Sequence, residues 1–129
     1  MEQELRALLR SSAAITGIVG GLVDWGESPQ PGAARYIVLH LVSDTEGATM
    51  QGRDGLRQSR VQVDCYGPDY ATAAALMAAV KDALHGYRGG GFQGIFFDGG
   101  RVPREGDDEA SAIYRASLDF MTHWRSQHA

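Results

Sequence analysis

Residues 59–86, SRVQVDCYGPDYATAAALMAAVKDALHG, decide the fold because their hydrophobic period changes once along the stretch. In the first part, two valines and a cysteine alternate with Arg, Gln and Asp, as in a β-strand with one face turned to a core. After Pro68, apolar residues recur at intervals of three and four, which is the period of an amphipathic helix. Asp69 suits the N-cap of this helix, and Gly86 suits its C-terminal stop. The stretch therefore predicts a strand followed by a helix over 69–86.

Further strand and helix patterns flank this stretch on both sides. Residues 36–42, YIVLHLV, are apolar on both parities, which is typical of a central strand covered on both faces. Residues 112–124 alternate over their whole length as a last strand, and a short strand centred on 95–97 precedes it. Residues 2–14 carry leucines on one face and glutamates in the first turn, which predicts a helix. A short apolar segment, 18–25, follows and is broken by two glycines.

Taken in order, these segments predict the element order α-β-β-β-α-β-β. Consecutive strands joined by loops imply an α+β fold with a mostly antiparallel sheet of four or five strands. The apolar stripe of each helix fits one packing surface, so helices 2–14 and 69–86 are expected on one face. The length of 129 residues fits a single domain, 1–129. The polar, glycine-containing segments 44–57 and 99–111 are predicted to be long connections.

Charge and composition exclude several classes of protein. The net charge is -4, from 12 basic and 16 acidic residues, and Lys81 is the sole lysine, so clustered positive charge for sequence-specific nucleic-acid binding is absent. No stretch approaches the roughly 20 apolar residues of a membrane span. The charged start MEQELRALLR is not a signal peptide pattern, and the single Cys65 cannot form an internal disulfide. We therefore expect a protein of a reducing, aqueous compartment.

Motifs for metal binding or phosphate binding are missing from the sequence. The histidines stand in no HxxxH or HExxH pair; they are His40, His85, His123 and His128. The stretch GGGFQG lacks the Lys-Ser/Thr that follows a phosphate-binding loop, so tight turns explain its glycines better. The acidic run 107–109 lacks the ligand spacing of a calcium loop and is typical of a solvated loop. We predict neither a metal nor another cofactor.

Signatures of catalysis are also missing. The serines lie in no GxSxG elbow, and Cys65 alternates inward with valines, so a buried and inert thiol is expected. Asp64 and Asp119 point from strands to polar faces, where they could form an acid–base pair, although surface positions are the commoner explanation. The sequence therefore predicts a protein that is not an enzyme.

Several stretches in this order resemble one known family. They are LRALL near the start, DWGESPQPGA, the strand YIVLHLVS, RVQVDCYG with an alanine-rich helix after it, and IYRASLDFMTHW at the end. Together they are similar to the tail-completion or tail-terminator proteins of long-tailed, siphovirus-type phages, prophages and gene transfer agents. Many members have a proline directly before the first long strand, where this chain has Ala34-Arg35. The resemblance covers nearly the whole chain and depends on order and spacing, since each motif is structural.

This resemblance implies a structural virion protein that forms a six-fold ring at the head-proximal end of the tail tube. Such a ring ends tube growth and joins the tail to the head, so the implied partners are further copies of the chain, a tail tube protein and a head–tail connector protein. It also implies synthesis in the host cytoplasm, with isolated subunits monomeric in dilute solution. A head–tail connector or stopper of the neck is one alternative. A small-ligand-binding or enzymatic α+β domain is another, and it would need convergent polar residues in a pocket.

Long loops in so small a domain are usually functional, which directs attention to segments 44–57 and 99–111. Both combine glycine with charge, so we predict that they contact partners and are mobile in the free protein. The candidate interface residues are Thr45, Glu46, Met50, Arg53, Asp54, Arg57, Arg101, Arg104, Asp107 and Asp108.

Overall fold

In the computed structural model, the described part of the chain forms three helices and a five-stranded sheet. The structure describes residues 1–28, 30, 32–49, 52–105 and 113–125, with the backbone alone at 46–49, 52–55 and 102–105. The helices are α1 (Glu2–Arg10), α2 (Ala13–Val19) and α3 (Tyr70–Leu84). The strands are β1 (Val23–Trp25), β2 (Tyr36–Thr49), β3 (Gly52–Gly67), β4 (Phe92–Glu105) and β5 (Tyr114–Arg125).

The sheet has the strand order β1-β2-β3-β5-β4. Three of its neighbouring pairs are antiparallel, which confirms the predicted α+β class and the mostly antiparallel sheet. The short β1 instead runs parallel to β2, with Val23 opposite Ile37. The chain between Trp25 and Tyr36 returns to the same end of the sheet before β2 begins, so the two strands share a direction. The sheet is therefore mixed.

The prediction of one helix over 2–14 is wrong, because the chain forms two helices here. Ser12 caps α2 by accepting a hydrogen bond from the backbone N–H of Ile15 at 3.4 Å. α2 then uses part of the segment assigned to an extended piece and ends at Gly20, whose φ of +64° suits glycine. The observed order is α-α-β-β-β-α-β-β rather than α-β-β-β-α-β-β.

Helix α3 confirms the prediction made for 69–86, with slightly different ends. The carboxylate of Asp69 accepts from the backbone N–H of Thr72 at 2.7 Å and so acts as the N-cap. Helical geometry ends at Leu84, and Gly86 follows with a φ of +81° that turns the chain towards β4.

The prediction that 44–57 and 99–111 are connections is wrong where the structure describes them. β2 continues to Thr49 and β3 begins at Gly52, so both sides of the first segment are strand. β4 likewise extends to Glu105, and residues 106–112 lie outside the described residues. A strand that buries neither face needs no alternation of apolar side chains, so hydrophobic periodicity could not reveal these extensions.

All three helices contribute to one apolar core on one face of the sheet, which confirms the predicted arrangement on a single face. The core joins Leu9 of α1 and Leu76 of α3 to inward residues of the strands such as Val63, Leu118 and Phe120. Cys65 lies in this core, and its burial raises the pKa of its thiol. No helix in the described ranges is long and apolar enough to span a membrane. We call the sheet surface opposite the helices the open face.

Candidate partner-binding surfaces

The two segments predicted to contact partners lie at opposite ends of the sheet. Arg57 of β3 pairs with Trp124, so the β2–β3 hairpin marks one end, which we call the hairpin end. Gly67 pairs with Tyr114, which in turn pairs with Glu105, so β4 leads into 106–112 at the other end. Ten strand residues separate these ends, a span of about 33 Å. The sheet therefore places the described parts of the two segments towards opposite ends.

At the hairpin end, Arg57 is used within the chain. Its Nη1 lies 2.7 Å from Oε1 of Glu2 in α1, and its Nε lies 2.6 Å from Oδ1 of Asp44 in β2. The hydroxyl of Ser59 donates to the same Asp44 oxygen at 2.8 Å. The side chain of Arg57 is 22% exposed. Arg57 therefore links the base of the hairpin to α1 through its ion pair with Glu2. The sequence did not indicate this role.

This ion pair predicts a dependence of stability on acid. Hydrogen bonding from Arg57, helped by Ser59, holds the pKa of Asp44 below its ordinary value of 3.8. A lowered folded-state pKa contributes stability that is fully present above pH 3.8 and is lost as pH falls through the folded-state value. Urea titrations of the wild type and Asp44→Asn should therefore differ at pH 6 and converge as pH falls below 3.8. A stability difference that stays constant down to pH 2 would contradict the pairing.

The other candidate residues divide between the two ends. Thr45 is exposed, and its hydroxyl donates to the carbonyl of Gln58 at 3.3 Å. Arg101 is exposed on β4. The backbone places Glu46, Arg53 and Asp54 on the hairpin, and Arg104 on β4 towards the other end. Met50, Asp107 and Asp108 lie outside the described residues. The described candidate interface residues therefore lie either at the hairpin end or on β4.

Four of the five tyrosines of the chain lie at the end opposite the hairpin, which we call the tyrosine end. The rings of Tyr36 and Tyr66 stack at 4.5 Å, and those of Tyr70 and Tyr114 meet edge to face at 6.5 Å. Partial burial, and then the neighbouring Tyr66, raise the pKa of Tyr36. The ring of Tyr70 is 54% exposed. Because tyrosine is enriched at protein interfaces, this end is a second candidate contact surface that sequence reasoning missed.

A buried carboxylate organises the middle of the open face. Asp64 Oδ1 accepts from the hydroxyl of Ser117 at 2.6 Å and from the amide of Gln62 at 2.9 Å, while Oδ2 lies 3.2 Å from Nε2 of His40. In a catalytic triad, histidine stands between serine and acid, whereas here the acid stands between the other two. Ser117 therefore donates to the acid itself, and His40 lies on the other oxygen of that acid. Asp119, the other carboxylate of the acid–base pair considered from sequence, is not among these hydrogen-bond partners.

The Asp64 cluster, which is Asp64 with Ser117, Gln62 and His40, predicts that substitutions of two aspartates on the same face change stability unequally. Asp64→Ala removes the acceptor of three polar side chains and should lower the free energy of unfolding by about 1–3 kcal/mol. Asp119→Ala, at the position opposite Gln62, is the matched control and should change it by less than about 0.5 kcal/mol. Urea unfolding followed by tryptophan fluorescence measures the free energy of unfolding of both variants. Equal losses would show that the hydrogen bonds to Asp64 do not stabilise the fold.

A groove of about 620 Å³ lies between α1 and the glycines before β4. Its apolar walls include Leu8, Tyr87 and Trp124, and Glu4 contributes a carboxylate that is half exposed. Polar lining groups pair within the chain, the N-terminal ammonium of Met1 with Glu4 at 3.0 Å and the hydroxyl of Ser11 with the carbonyl of Leu8 at 2.6 Å, whereas a specific small-molecule site needs polar groups that converge on the ligand. Across the described ranges, no three His, Cys, Asp or Glu side chains are grouped to hold a metal. The groove therefore gives no support to the small-ligand reading.

Comparison with known proteins decides the family. The chain matches the family described as Tail completion protein gp17 over residues 3–124. The chain belongs to this family. Among solved structures, a chain of the virion of a native gene transfer agent particle is similar, with a TM-score of 0.69 and 24% sequence identity. That match covers 95% of this chain and 92% of the other. No curated protein matches the chain.

Membership of the tail completion family confirms the resemblance found in the sequence and makes the chain a structural protein of phage-type tails. The likeness to the gene transfer agent chain shows that the α+β fold occurs in a virion protein of nearly the same length. A protein that completes a tail must contact other proteins, so the two ends of the sheet are the candidate surfaces for these contacts.

Proposed function

We propose that this tail completion protein forms a ring at the head-proximal end of the tail tube, where it ends tube growth and joins tail to head. The observation that supports the proposal is the placement of two different candidate contact surfaces, about 33 Å apart, at opposite ends of one sheet. A subunit held between two partners needs two such surfaces. The hairpin end offers a charged two-stranded projection, and the tyrosine end offers aromatic rings.

The ring itself is a homohexamer in this proposal, matched to a six-fold tail tube. Copies related by rotation meet through a heterologous contact, in which two different surfaces of the chain touch. An axis running along the strands keeps the same end of every copy at the same level. The hairpin ends then form one rim of the ring and the tyrosine ends the other. The tail tube protein binds one rim, and the head–tail connector protein binds the other.

The proposed role is structural, without catalysis or a cofactor. The Asp64 cluster supports this reading, because Ser117 donates to one oxygen of Asp64 and His40 lies on the other, so the three side chains do not have the serine–histidine–acid order of a nucleophilic triad. The net charge of -4 also opposes close self-association slightly, which suits subunits that stay monomeric in dilute solution until they meet the tail.

Cryo-electron microscopy of particles made by the phage or gene transfer agent that encodes the chain tests the location and the copy number. We expect six copies in one ring, with tube density at one rim and connector density at the other. A single ring of copies placed within the connector, without contact to the tube, would favour the head–tail connector or stopper alternative. Copies at the distal tip of the tail would contradict both readings.

A further inference from the structure

Exposed apolar side chains occur at both margins of the sheet. The large apolar residues with high exposure in the described ranges are Leu41 at 40%, Val42 at 52%, Tyr70 at 54% and Phe96 at 48%. Tyr70 belongs to the tyrosine end. Leu41 and Val42 lie on β2 beyond its short pairing with β1, and Phe96 lies on β4, the strand of the opposite margin. Each margin therefore carries an apolar patch that the described part of the chain leaves half uncovered.

The two patches lie at the same level along the strands. One row of paired residues crosses the four long strands, and it consists of Ser43, Arg60, Met121 and Phe96. Paired residues stand opposite each other, so this row is perpendicular to the strands. Leu41 and Val42 come directly before Ser43 on β2, at a register shift. The β2 patch and Phe96 are therefore at one height, three strand spacings or about 14 Å apart across the sheet.

The two patches face opposite sides of the sheet. Leu41 pairs with the core residue Val61, so its side chain lies on the helix side, at a place that the helices leave partly open. Phe96 stands between Ile95 and Phe97, which both contact the core, so by alternation it lies on the open face. The helix side of one margin can therefore overlap the open face of the other margin in a neighbouring copy. Copies related by rotation need such a pair of unlike surfaces.

The ring of Phe96 is held in place within the chain. Gly94 lies two residues earlier on the same face, and a Cβ at this position would lie 2.7 Å from the ring. The ring therefore lies back over the backbone of Gly94, and its centroid is 5.7 Å from that of His123 in an edge contact. An aromatic side chain that is already ordered loses little conformational entropy on binding, which suits it to anchor an interface.

Neither margin is suited to main-chain pairing with another strand. β2 has register shifts after Leu41 and after Glu46, which interrupt its ladder. The β4 edge is occupied by the turn after α3, where the N–H of Gly86 donates to the carbonyl of Ile95 at 2.7 Å. The two margins therefore favour a contact made by side chains.

We propose that Phe96 of one copy packs against Leu41 and Val42 of the next copy, and that this overlap is the lateral contact of the ring. Because the two patches lie at one level, rotation about an axis along the strands joins them without a rise, so the series of contacts closes instead of forming a helix. This inference rests on the proposed function for the ring.

The small size of the contact fits assembly on the tail. Interfaces below roughly 1,200 Å² of total buried area are typical of weak contacts, and this one is centred on three apolar side chains. Subunits therefore stay apart in dilute solution and join when the tail tube holds them side by side. Contact between like patches about a two-fold axis would instead end at a dimer and could not build a ring alone.

Photo-crosslinking at Phe96 in assembled particles tests the contact. The photoreactive residue p-benzoyl-phenylalanine, which keeps an aromatic ring at this position, replaces Phe96, and purified particles are irradiated and digested with trypsin. We expect a covalent dimer of the chain in which position 96 is joined to the tryptic peptide 36–53, which contains Leu41 and Val42. A dimer joined through peptide 89–101 of both copies would show a two-fold contact and overturn the proposal. A product with a different protein in place of the dimer would also overturn it, and so would no product from particles that contain the substituted chain.

A control position and a pair of charge variants keep the test decisive. The photoreactive residue at Tyr70, which is exposed at the tyrosine end, should not join to peptide 36–53, and an equal yield there would overturn the proposal. If the photoreactive chain does not enter particles, Val42→Lys and Phe96→Glu are made singly and together, and titres are normalised to the amount of folded chain. We expect each single variant to lower particle titre about tenfold or more, the effect of about 1.4 kcal/mol of binding. The double variant should recover part of this loss because opposite charges then meet, and no recovery would overturn the proposal.

The location of the ring and its lateral contact can fail separately. A six-fold ring at the head-proximal end that gives no dimer through peptide 36–53 would leave the proposed function standing and remove this inference alone. The expected dimer, from copies that form a ring elsewhere in the particle, would remove the proposed function and keep the lateral contact.

Discussion

Phe120→Ala is expected to lower the free energy of unfolding by about 3–5 kcal/mol, because it removes a large side chain from the centre of the core. Phe120 is fully buried on β5, where it pairs with Val61 of β3 on one side and with Phe97 of β4 on the other. The ring centroids of Phe120 and Phe97 lie 5.7 Å apart, and the ring planes make an angle of 64°. The variant also loses this edge-to-face contact. Urea unfolding of the purified chain, followed by tryptophan fluorescence, measures this change.

Phe96→Ala is the matched control for this experiment. Phe96 is the residue before Phe97 on β4, but it points to the open face and is 48% exposed. Its ring contacts His123 at 5.7 Å and lies outside the core, so a loss of about 1 kcal/mol or less is expected. Similar losses for the two variants would show that the register of β4 against β5 is wrong, because a shift of one residue exchanges the two faces.

Hydrophobic periodicity predicted those elements that bury one face. The strand around Val61–Cys65 and helix α3 were predicted at their observed positions, because each has one face towards the core and one towards solvent. The last strand, predicted over 112–124, was also found, as Tyr114–Arg125. The break between α1 and α2 leaves no gap in the apolar pattern, because Ser11 and Ser12 lie between two apolar stretches and only the N-cap at Ser12 marks it.

Periodicity could not predict features that depend on distant parts of the chain. The tyrosine end joins residues 36, 66, 70 and 114, which come together only once the sheet register is known. The same holds for Asp64 and Ser117, which are 53 positions apart in the sequence. The parallel pairing of β1 was not predicted either, because the sequence of a three-residue strand does not indicate its direction relative to the neighbouring strand. A signal for the hairpin existed in the glycines at positions 47, 52 and 55, which lie between two polar stretches of the sequence.

Loss of the chain from its phage or gene transfer agent should have the largest effect of all, the loss of nearly all joined particles. The proposed ring between tube and connector has two tasks, and its absence would remove both. The tail tube has no stop at its upper end, so some tubes grow beyond the normal length. The connector has no matching rim to bind, so filled heads and tails stay separate. A plasmid copy of the gene restores joined particles, whereas a copy encoding Phe120→Ala restores fewer because less folded protein is available.

Electron microscopy of particles from such a deletion strain, with tail lengths measured and joined particles counted, is the decisive test of the proposed ring. If the chain forms this ring, we expect filled heads without tails and free tails, some of them overlong. Normal numbers of joined particles, with tails of uniform length and full infectivity or gene-transfer activity, would contradict it.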